Sequence, residues 1–287
     1  MAYKIGLIGA GRIGRVHAAS IASNARAKLV CVVDQIASSA ESLAEQYGAT
    51  TGTLEKLLGS GIDAVMICSA TNTHADLIER AAAAGKAIFC EKPVDLDVAR
   101  ARSCAKRAEE ARVPLLIGFN RRFDPHFARL KAHIDAGTLG AVEMVQITSR
   151  DPGPPPADYV RVSGGLFRDM TIHDFDMARW LLGEEPVEVS AAASVLVDDM
   201  FKACDDVDSA LVTLRTAKGR LCVISNSRRA AYGYDQRIEV HGSKGMICAG
   251  NERDDLVAIW DGNGSHGSKV KNFFLARGIA GSSTLRA

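Results

Sequence analysis

Lys4–Gly9, KIGLIG, is an apolar run that breaks into the turn GAGRIG, and a helical pattern over Arg12–Ser23 follows at once. Few local patterns restrict a fold more. Gly9 permits the tight turn, and Gly14 lets the helix close on the strand. The same alternation recurs through the first 119 residues. KLVCVVD (Lys28–Asp34) precedes a helical Ala37–Tyr47, AVMICSA (Ala64–Ala70) precedes Ala75–Ala84, and AIFCE (Ala87–Glu91) precedes Leu96–Arg112. PLLIGF (Pro114–Phe119) closes the series. Near-continuous apolar strands are buried on both faces, which requires a parallel sheet covered by helices. The expectation is an α/β Rossmann domain, a doubly wound parallel sheet, over residues 1–119.

The turn also selects a ligand. Gly11 lets a pyrophosphate approach the backbone, and the helix N-terminus offers N–H groups and a positive dipole end. Arg12 and Ile13 lie in the same turn. Asp34 ends the second strand, where a carboxylate accepts from adenosine ribose hydroxyls and repels a 2′-phosphate. NAD is therefore expected over NADP. Glycines that serve only strand–helix packing are the plainer alternative. Ser69, Thr71, Asn72 and His74 follow the strand at Ala64–Ala70, where ligands of such sheets sit. The alternative for that loop is that Thr73 simply caps the next helix. Glu91 and Lys92 close the AIFCE strand before Pro93. A lysine there is costly unless used or paired, and the position lies near the nicotinamide end of a bound dinucleotide. Spacing alone is equally compatible with a Glu91–Lys92 surface pair.

Residues 120–277 change character. A helix is expected around Pro125–Ala136, followed by the period-2 runs VEMVQITSR, VEVSAAASVLV, DSALVTLRT, GRLCVISNSRR and QRIEVHGSKGMI. This predicts an α+β domain with a large open mixed or antiparallel sheet. Gly153–Pro156, within DPGPPP, reads as a rigid surface loop, since prolines exclude a central strand. A formal net charge of +1 with scattered Lys and Arg argues against a nucleic-acid surface. No apolar run reaches membrane-spanning length. The strand pattern begins so early that no signal peptide fits before it. The seven cysteines show no CxxC spacing and read as reduced and buried, as in a cytoplasmic protein.

Gly164–Leu182, GGLFRDMTIHDFDMARWLL, reads as a helix with acids beside an apolar stripe. At a helical period Asp169, His173, Asp176 and Trp180 fall within about 60° of arc. A solvated face has no need of Met170, Met177 and Trp180, and a plain core face excludes the acids. Asp169 and His173, four apart, share a face. A metal held by Asp169, His173 and Asp176 is set aside, because a dinucleotide already supplies the electron acceptor. His17, His133 and His266 read as structural or surface residues.

Together GAGRIGRVH, Glu91-Lys92-Pro93, GFNRRFDP (Gly118–Pro125) and the Gly164–Leu182 segment resemble the glucose–fructose oxidoreductase/inositol dehydrogenase family, over about Lys4 to Arg277. The likeness is strongest to its bacterial inositol-oxidising members. The resemblance implies NAD-dependent oxidation of a cyclitol or sugar ring hydroxyl to a ketone, foremost that of myo-inositol at the 2-position. Lys92 then places the substrate hydroxyl, His173 is the general base, and Asp169 orients substrate and base. Imidazole titrates near operating pH, and a nearby carboxylate favours its protonated form. Arg121, Asp151 and Tyr234 are expected at the substrate, Tyr234 in preference to Tyr232, although Arg121 fits a structural ion pair nearly as well. The plainer reading of Asp174 is that it caps the helix or pairs with an arginine such as Arg179. The resemblance further implies a homo-oligomer, dimer or tetramer, formed through the second-domain sheet. The alternatives are another sugar or polyol as substrate, and a catalytically silent NAD-binding regulator. Two departures stand out. Ala70 replaces a proline common in relatives, and relatives continue for roughly 50 residues past the point matching Arg277. GIAGSSTLRA, residues 278–287, is therefore expected to be a disordered tail left by truncation or frameshift.

Overall fold

Apolar strands buried from both sides organise the first unit, Met1–Asn120. In chain order it runs β1 (Tyr3–Ile8), α1 (Arg12–Ala22), β2 (Ala27–Val33), α2 (Ala37–Tyr47), β3 (Thr50–Thr51), α3 (Leu54–Gly59), β4 (Ala64–Ile67), α4 (His74–Ala83), β5 (Ala87–Cys90), α5 (Val98–Glu110) and β6 (Leu115–Ile117). The computed structural model describes residues 2–251, 258–261 and 264–267. All six strands are parallel, in the order β3-β2-β1-β4-β5-β6. The order reverses between β1 and β4, which places the topological switch point at the glycine turn. One core, around Leu7, Ile21, Val32 and Leu43, lies under α1 and α2. The other, around Val65, Ile67, Ile78 and Cys104, lies under α3, α4 and α5. Each fully buried aliphatic side chain contributes about 1.5–3 kcal/mol. The doubly wound sheet is as the apolar runs imply; the short β3 and α3 carry too little periodicity to be read from sequence.

The second unit begins at Arg121. It contains α6 (Pro125–Asp135), β7 (Val142–Arg150), α7 (Ala157–Ser163), α8 (Ile172–Leu182), β8 (Pro186–Ser194), α9 (Met200–Ala203), β9 (Ser209–Thr216), β10 (Leu221–Ser227), β11 (Asp235–Gly242) and β12 (Gly245–Ala249). A further antiparallel pair joins β13 (Ala258–Asp261) to β14 (Gly264–Gly267). Strand order in the main sheet is β12-β11-β7-β10-β9-β8. The sheet is mixed: β7 and β10 run parallel and the other neighbours antiparallel. Alternation explains the faces. Ala210, Val212 and Leu214 of β9 are buried, and Leu211, Thr213 and Arg215 are exposed. α8 lies along β7 on the buried face.

The Gly164–Leu182 segment is not one regular helix. α7 ends at Gly164, Gly164 and Gly165 both have positive φ, a π-helical turn spans Phe167–Thr171, and only then does α8 begin. A Cβ on Gly165 would lie 2.5 Å from a carboxylate oxygen of Asp206, and Asp206 accepts from Leu166 N–H at 3.0 Å. Among the described residues every cysteine is free, and no helix is long and apolar enough to cross a membrane. Residues 278–287, and with them the expected tail, lie outside the described residues, as do NFFLAR and the side chain of His266.

Candidate active site

The glycine turn is shaped by what each glycine excludes. A Cβ on Gly9, whose φ is +99°, would lie 2.5 Å from the Cys68 carbonyl carbon. On Gly14 it would lie 2.0 Å from the Gly9 carbonyl oxygen. Around Gly11, by contrast, nothing lies within 4 Å. Gly11 is the N-cap of α1, offers no side-chain cap, and is followed by no acid in the first turn. The turn thus leaves open backbone at a positive helix end, which suits a pyrophosphate. Asp34 accepts from Ala10 N–H at 2.6 Å and from Ile36 N–H at 2.8 Å. Its carboxylate is fixed beside the turn, with lone pairs remaining for ribose hydroxyls. These residues fit a dinucleotide.

The loop after β4 abuts the turn, since a Cβ on Gly9 would also meet Ser69 N at 2.6 Å. Thr71 and Asn72 are partly or fully exposed there, and Ser69 Oγ bonds Thr73 Oγ1 at 2.6 Å. His74 is the fourth residue that the sequence places toward the cofactor. It is buried, and its two ring nitrogens meet the carbonyl oxygens of Pro93 and Ser69 at 2.7 and 3.0 Å. His74 ties the Ser69 loop to the bend after β5. That bend contains a cis Lys92–Pro93 peptide. Glu91 is not half of a surface pair: it meets His17 Nε2 at 2.6 Å, and both side chains are largely buried. Its other oxygen accepts from Lys92 N–H at 3.3 Å. Burial pushes the thiols of Cys68 and Cys90 well up, so both stay protonated beside the turn.

In the second unit the acids sort into two groups. Asp169, in the π-helical turn, accepts from Tyr159 Oη at 2.7 Å and from Arg228 Nη2 at 2.9 Å. Arg228 Nη1 donates to Asp151 at 2.9 Å, and Tyr234 bonds Asp151 in turn. Burial first, and then the negative Asp151, push the Tyr234 phenol well up, which leaves it a neutral donor. Tyr232 is exposed and goes elsewhere, donating to Asp235 at 2.6 Å. His173 stands at the second position of α8, one turn after Asp169, and is half-buried. Asp151, Asp169 and Tyr234 are thus brought together by a residue the sequence reading did not single out.

Asp174 and Asp176 are held in ion pairs of their own. Asp174 is fully buried and pairs with Arg121, not with Arg179, which takes Glu185. Arg121 is 6% exposed and also donates to Ser149 Oγ at 2.9 Å. Arg121, expected at the substrate or in a structural ion pair, has its guanidinium engaged with Asp174 and Ser149. Asn226 donates to Asp174 at 2.8 Å and accepts from Thr171 at 2.7 Å, tying α8 and the π turn to β10. Burial pushes the Asp174 carboxyl up, against the pull of Arg121 and Asn226. Asp176 takes both nitrogens of an Arg122 fork at 2.8 and 2.6 Å, and Trp180 lies under Arg122 and Lys131. The signal for Asn226 and Arg228 is parity. Cys222, Ile224, Asn226 and Arg228 are all buried, so both polar residues continue the inward register of β10. Tyr159 carries no such signal, because proline-rich sequence precedes α7. Among the described residues no cluster of His, Cys, Asp and Glu could hold a metal ion.

Comparison with known proteins matches residues 3–119 to an oxidoreductase family with an NAD-binding Rossmann fold, and residues 127–248 to a GFO/IDH/MocA C-terminal domain. The chain is 55% identical over 278 residues to inositol 2-dehydrogenase of Rhizobium meliloti, covering 96% of this chain and 84% of that one. It is 48% identical over 277 residues to myo-inositol 2-dehydrogenase of Thermotoga maritima, covering 96% and 83%. A myo-inositol dehydrogenase from Corynebacterium glutamicum superposes with a TM-score of 0.91 at 43% identity, covering 98% of this chain and 85% of that one.

Proposed function

The chain belongs to the GFO/IDH/MocA family of NAD-binding oxidoreductases, and from that premise we propose that it oxidises the 2-hydroxyl of myo-inositol to a ketone. The observation that carries the reading is Asp169, held by Arg228 and Tyr159 one turn before His173, in a chain 55% identical to an inositol 2-dehydrogenase.

Bound NAD supplies the hydride acceptor. Gly9, Gly11 and Gly14 shape the turn that receives its pyrophosphate at the α1 N-terminus, with Arg12 and Ile13 alongside. Asp34 accepts from the ribose hydroxyls. Ser69, Thr71 and Asn72 line the cofactor beyond β4, and Glu91 sets the backbone of Lys92. Lys92 donates to the reacting hydroxyl, lowering the cost of losing its proton. His173 takes that proton at an imidazole nitrogen, since an alcohol is too weak an acid to ionise unaided. The negative charge of Asp169 favours the imidazolium that forms. Asp151 and Tyr234 bind the remaining ring hydroxyls. The seven free cysteines support a reducing, cytoplasmic setting. Exposed apolar side chains on the second-unit sheet support a homo-oligomer.

The test is NADH absorbance with purified protein, NAD and myo-inositol. Turnover is expected, and His173→Ala should cut kcat about a hundredfold or more. The NAD dissociation constant should stay within about twofold. Retained NAD binding with no turnover of any polyol would sink the reading in favour of a regulator. Turnover of another polyol alone would move the assignment to that substrate.

A further inference from the structure

Arg228 sits where a charge is expensive. Its side chain is 4% exposed, and its Nε is buried with no hydrogen-bond partner among the described residues. Its backbone N–H is anchored on Asp208 O at 2.8 Å, so the side chain starts from a fixed point at the end of β10. Its two terminal nitrogens go to two different acids, Asp151 just beyond β7 and Asp169 in the π-helical turn, each at 2.9 Å. Asp151 and Asp169 are 18 residues apart in sequence by their numbers, and this guanidinium bridges them. Tyr159 closes one end of the chain on Asp169, and Tyr234 closes the other on Asp151.

We propose that Arg228 is the positioning residue of the polyol site: one planar fork fixes Asp169 and Asp151 in register, so that both present oxygens to hydroxyls of one ring. The inference rests on the reading of Asp169 and Asp151 as substrate-facing acids. The physics favours arginine alone. Two carboxylates this close repel, and a single guanidinium holds both through separate nitrogens in a fixed geometry. With the guanidinium in place the three charges sum to one negative. That keeps the acids as acceptors for sugar hydroxyls and leaves net negative charge to favour an imidazolium at His173. A lysine would supply the charge from a single nitrogen on a flexible stem and could not set the spacing of both acids. A purely structural ion pair would need neither the second carboxylate nor the two tyrosine hydroxyls that finish the chain.

The experiment compares Arg228→Lys and Arg228→Met with wild type. For Arg228→Met, kcat with myo-inositol should fall about a hundredfold, the size of effect that misplacing a reacting group produces. The KM for NAD should stay within about threefold, because the dinucleotide turn is elsewhere in the chain. Arg228→Lys should recover part of kcat, about tenfold over Arg228→Met. An Arg228→Met kcat within about threefold of wild type overturns the proposal, as does an NAD KM that worsens in step with kcat. If the methionine variant fails to fold, the lysine variant decides: wild-type kcat in Arg228→Lys refutes the fork. A crystal structure of Arg228→Lys separates this idea from the assigned reaction. Asp169 or Asp151 leaving its tyrosine is expected. Both carboxylates still on Tyr159 and Tyr234 would overturn the proposal even for an enzyme that turned over no polyol.

Discussion

Asp34 and Asp208 show how differently two carboxylates can be written into a sequence. Asp34 is legible because its place is marked by pattern: it is the acid that ends the second strand after a strand–glycine turn–helix, and its oxygens take Ala10 and Ile36 N–H. Asp34→Ser should weaken NAD by about 1.5–3 kcal/mol, the net value of hydrogen bonds to a charged group, and should raise the relative use of NADP. Steady-state kinetics with both cofactors tests this, and an unchanged NAD-to-NADP preference would refute the assignment. Asp208 is not legible, because three of its four partners are backbone N–H groups, which leave no mark on the side-chain pattern. It accepts from Leu196, Val197 and Asp198 N–H at 2.9, 2.8 and 3.1 Å and from the Ser209 hydroxyl at 2.9 Å. Burial opposes its charge, but these donors outweigh burial and hold the carboxyl below its ordinary value. The sign follows: a carboxyl depressed in the folded state contributes stability above its unfolded value of about 3.9, and that contribution is lost as pH falls through the folded value. Asp208→Ala should therefore cost about 2–3 kcal/mol at neutral pH, and the gap to wild type should close below about pH 4. Urea denaturation across pH measures it; a gap independent of pH would contradict the account.

At the scale of elements, the segment around α8 separates what periodicity reveals from what it hides. A period near 100° placed Asp169, His173 and Asp176 on one arc, and two of those three point to the proposed chemistry. The third does not: Asp176 is locked to Arg122. The break lies in the Gly164–Gly165 reversal and the π-helical turn at Phe167–Thr171, where each residue advances less than in an α-helix. Such turns leave no mark on an apolar pattern, and they occur often at functional sites. The strands of the second unit were readable from period 2, yet the parallel pairing of β7 with β10 was not, because parallel and antiparallel strands share that period. What fixes the π turn to the sheet is the buried group of Asp174, Arg121, Asn226, Thr171 and Ser149. Asp174→Ala would strand the Arg121 charge in the interior. The expected loss is about 3–5 kcal/mol, read as a lower urea midpoint. Replacing both partners, Arg121→Met with Asp174→Leu, should recover most of it, since removing a buried pair whole costs far less than splitting it. A double variant as unstable as the single one would show that the pair matters for more than mutual neutralisation.

Across the whole molecule, the change from two-sided to one-sided sheet burial explains why the sequence changes rhythm near residue 120. Strands covered on both faces read as continuous apolar runs, whereas strands covered on one face alternate. The alternation should leave the outer face polar, and in part it does: Thr213, Arg215, Arg237, Glu239 and His241 point out. Yet Met144, Leu211, Leu221, Val223 and Met246 share that exposure, with Leu211 57% and Met246 54% accessible. Leu221 sits opposite Met144 across the β7–β10 pairing, and Val223 and Leu211 are carried on adjacent strands. An apolar stripe crossing neighbouring strands of a sheet is what a self-complementary interface requires, and a monomer gains nothing from it. Charges placed in the stripe would have to be desolvated on association without partners, a cost of several kcal/mol per ion. Leu211→Glu combined with Val223→Glu should therefore reduce the mass in solution to that of one chain, measured by light scattering. The wild-type melting temperature should rise with protein concentration, because association stabilises the folded state by mass action, and the variant should lose that dependence. An unchanged mass in the double variant would move the interface off this face, and a wild type that is monomeric at every concentration would remove it altogether.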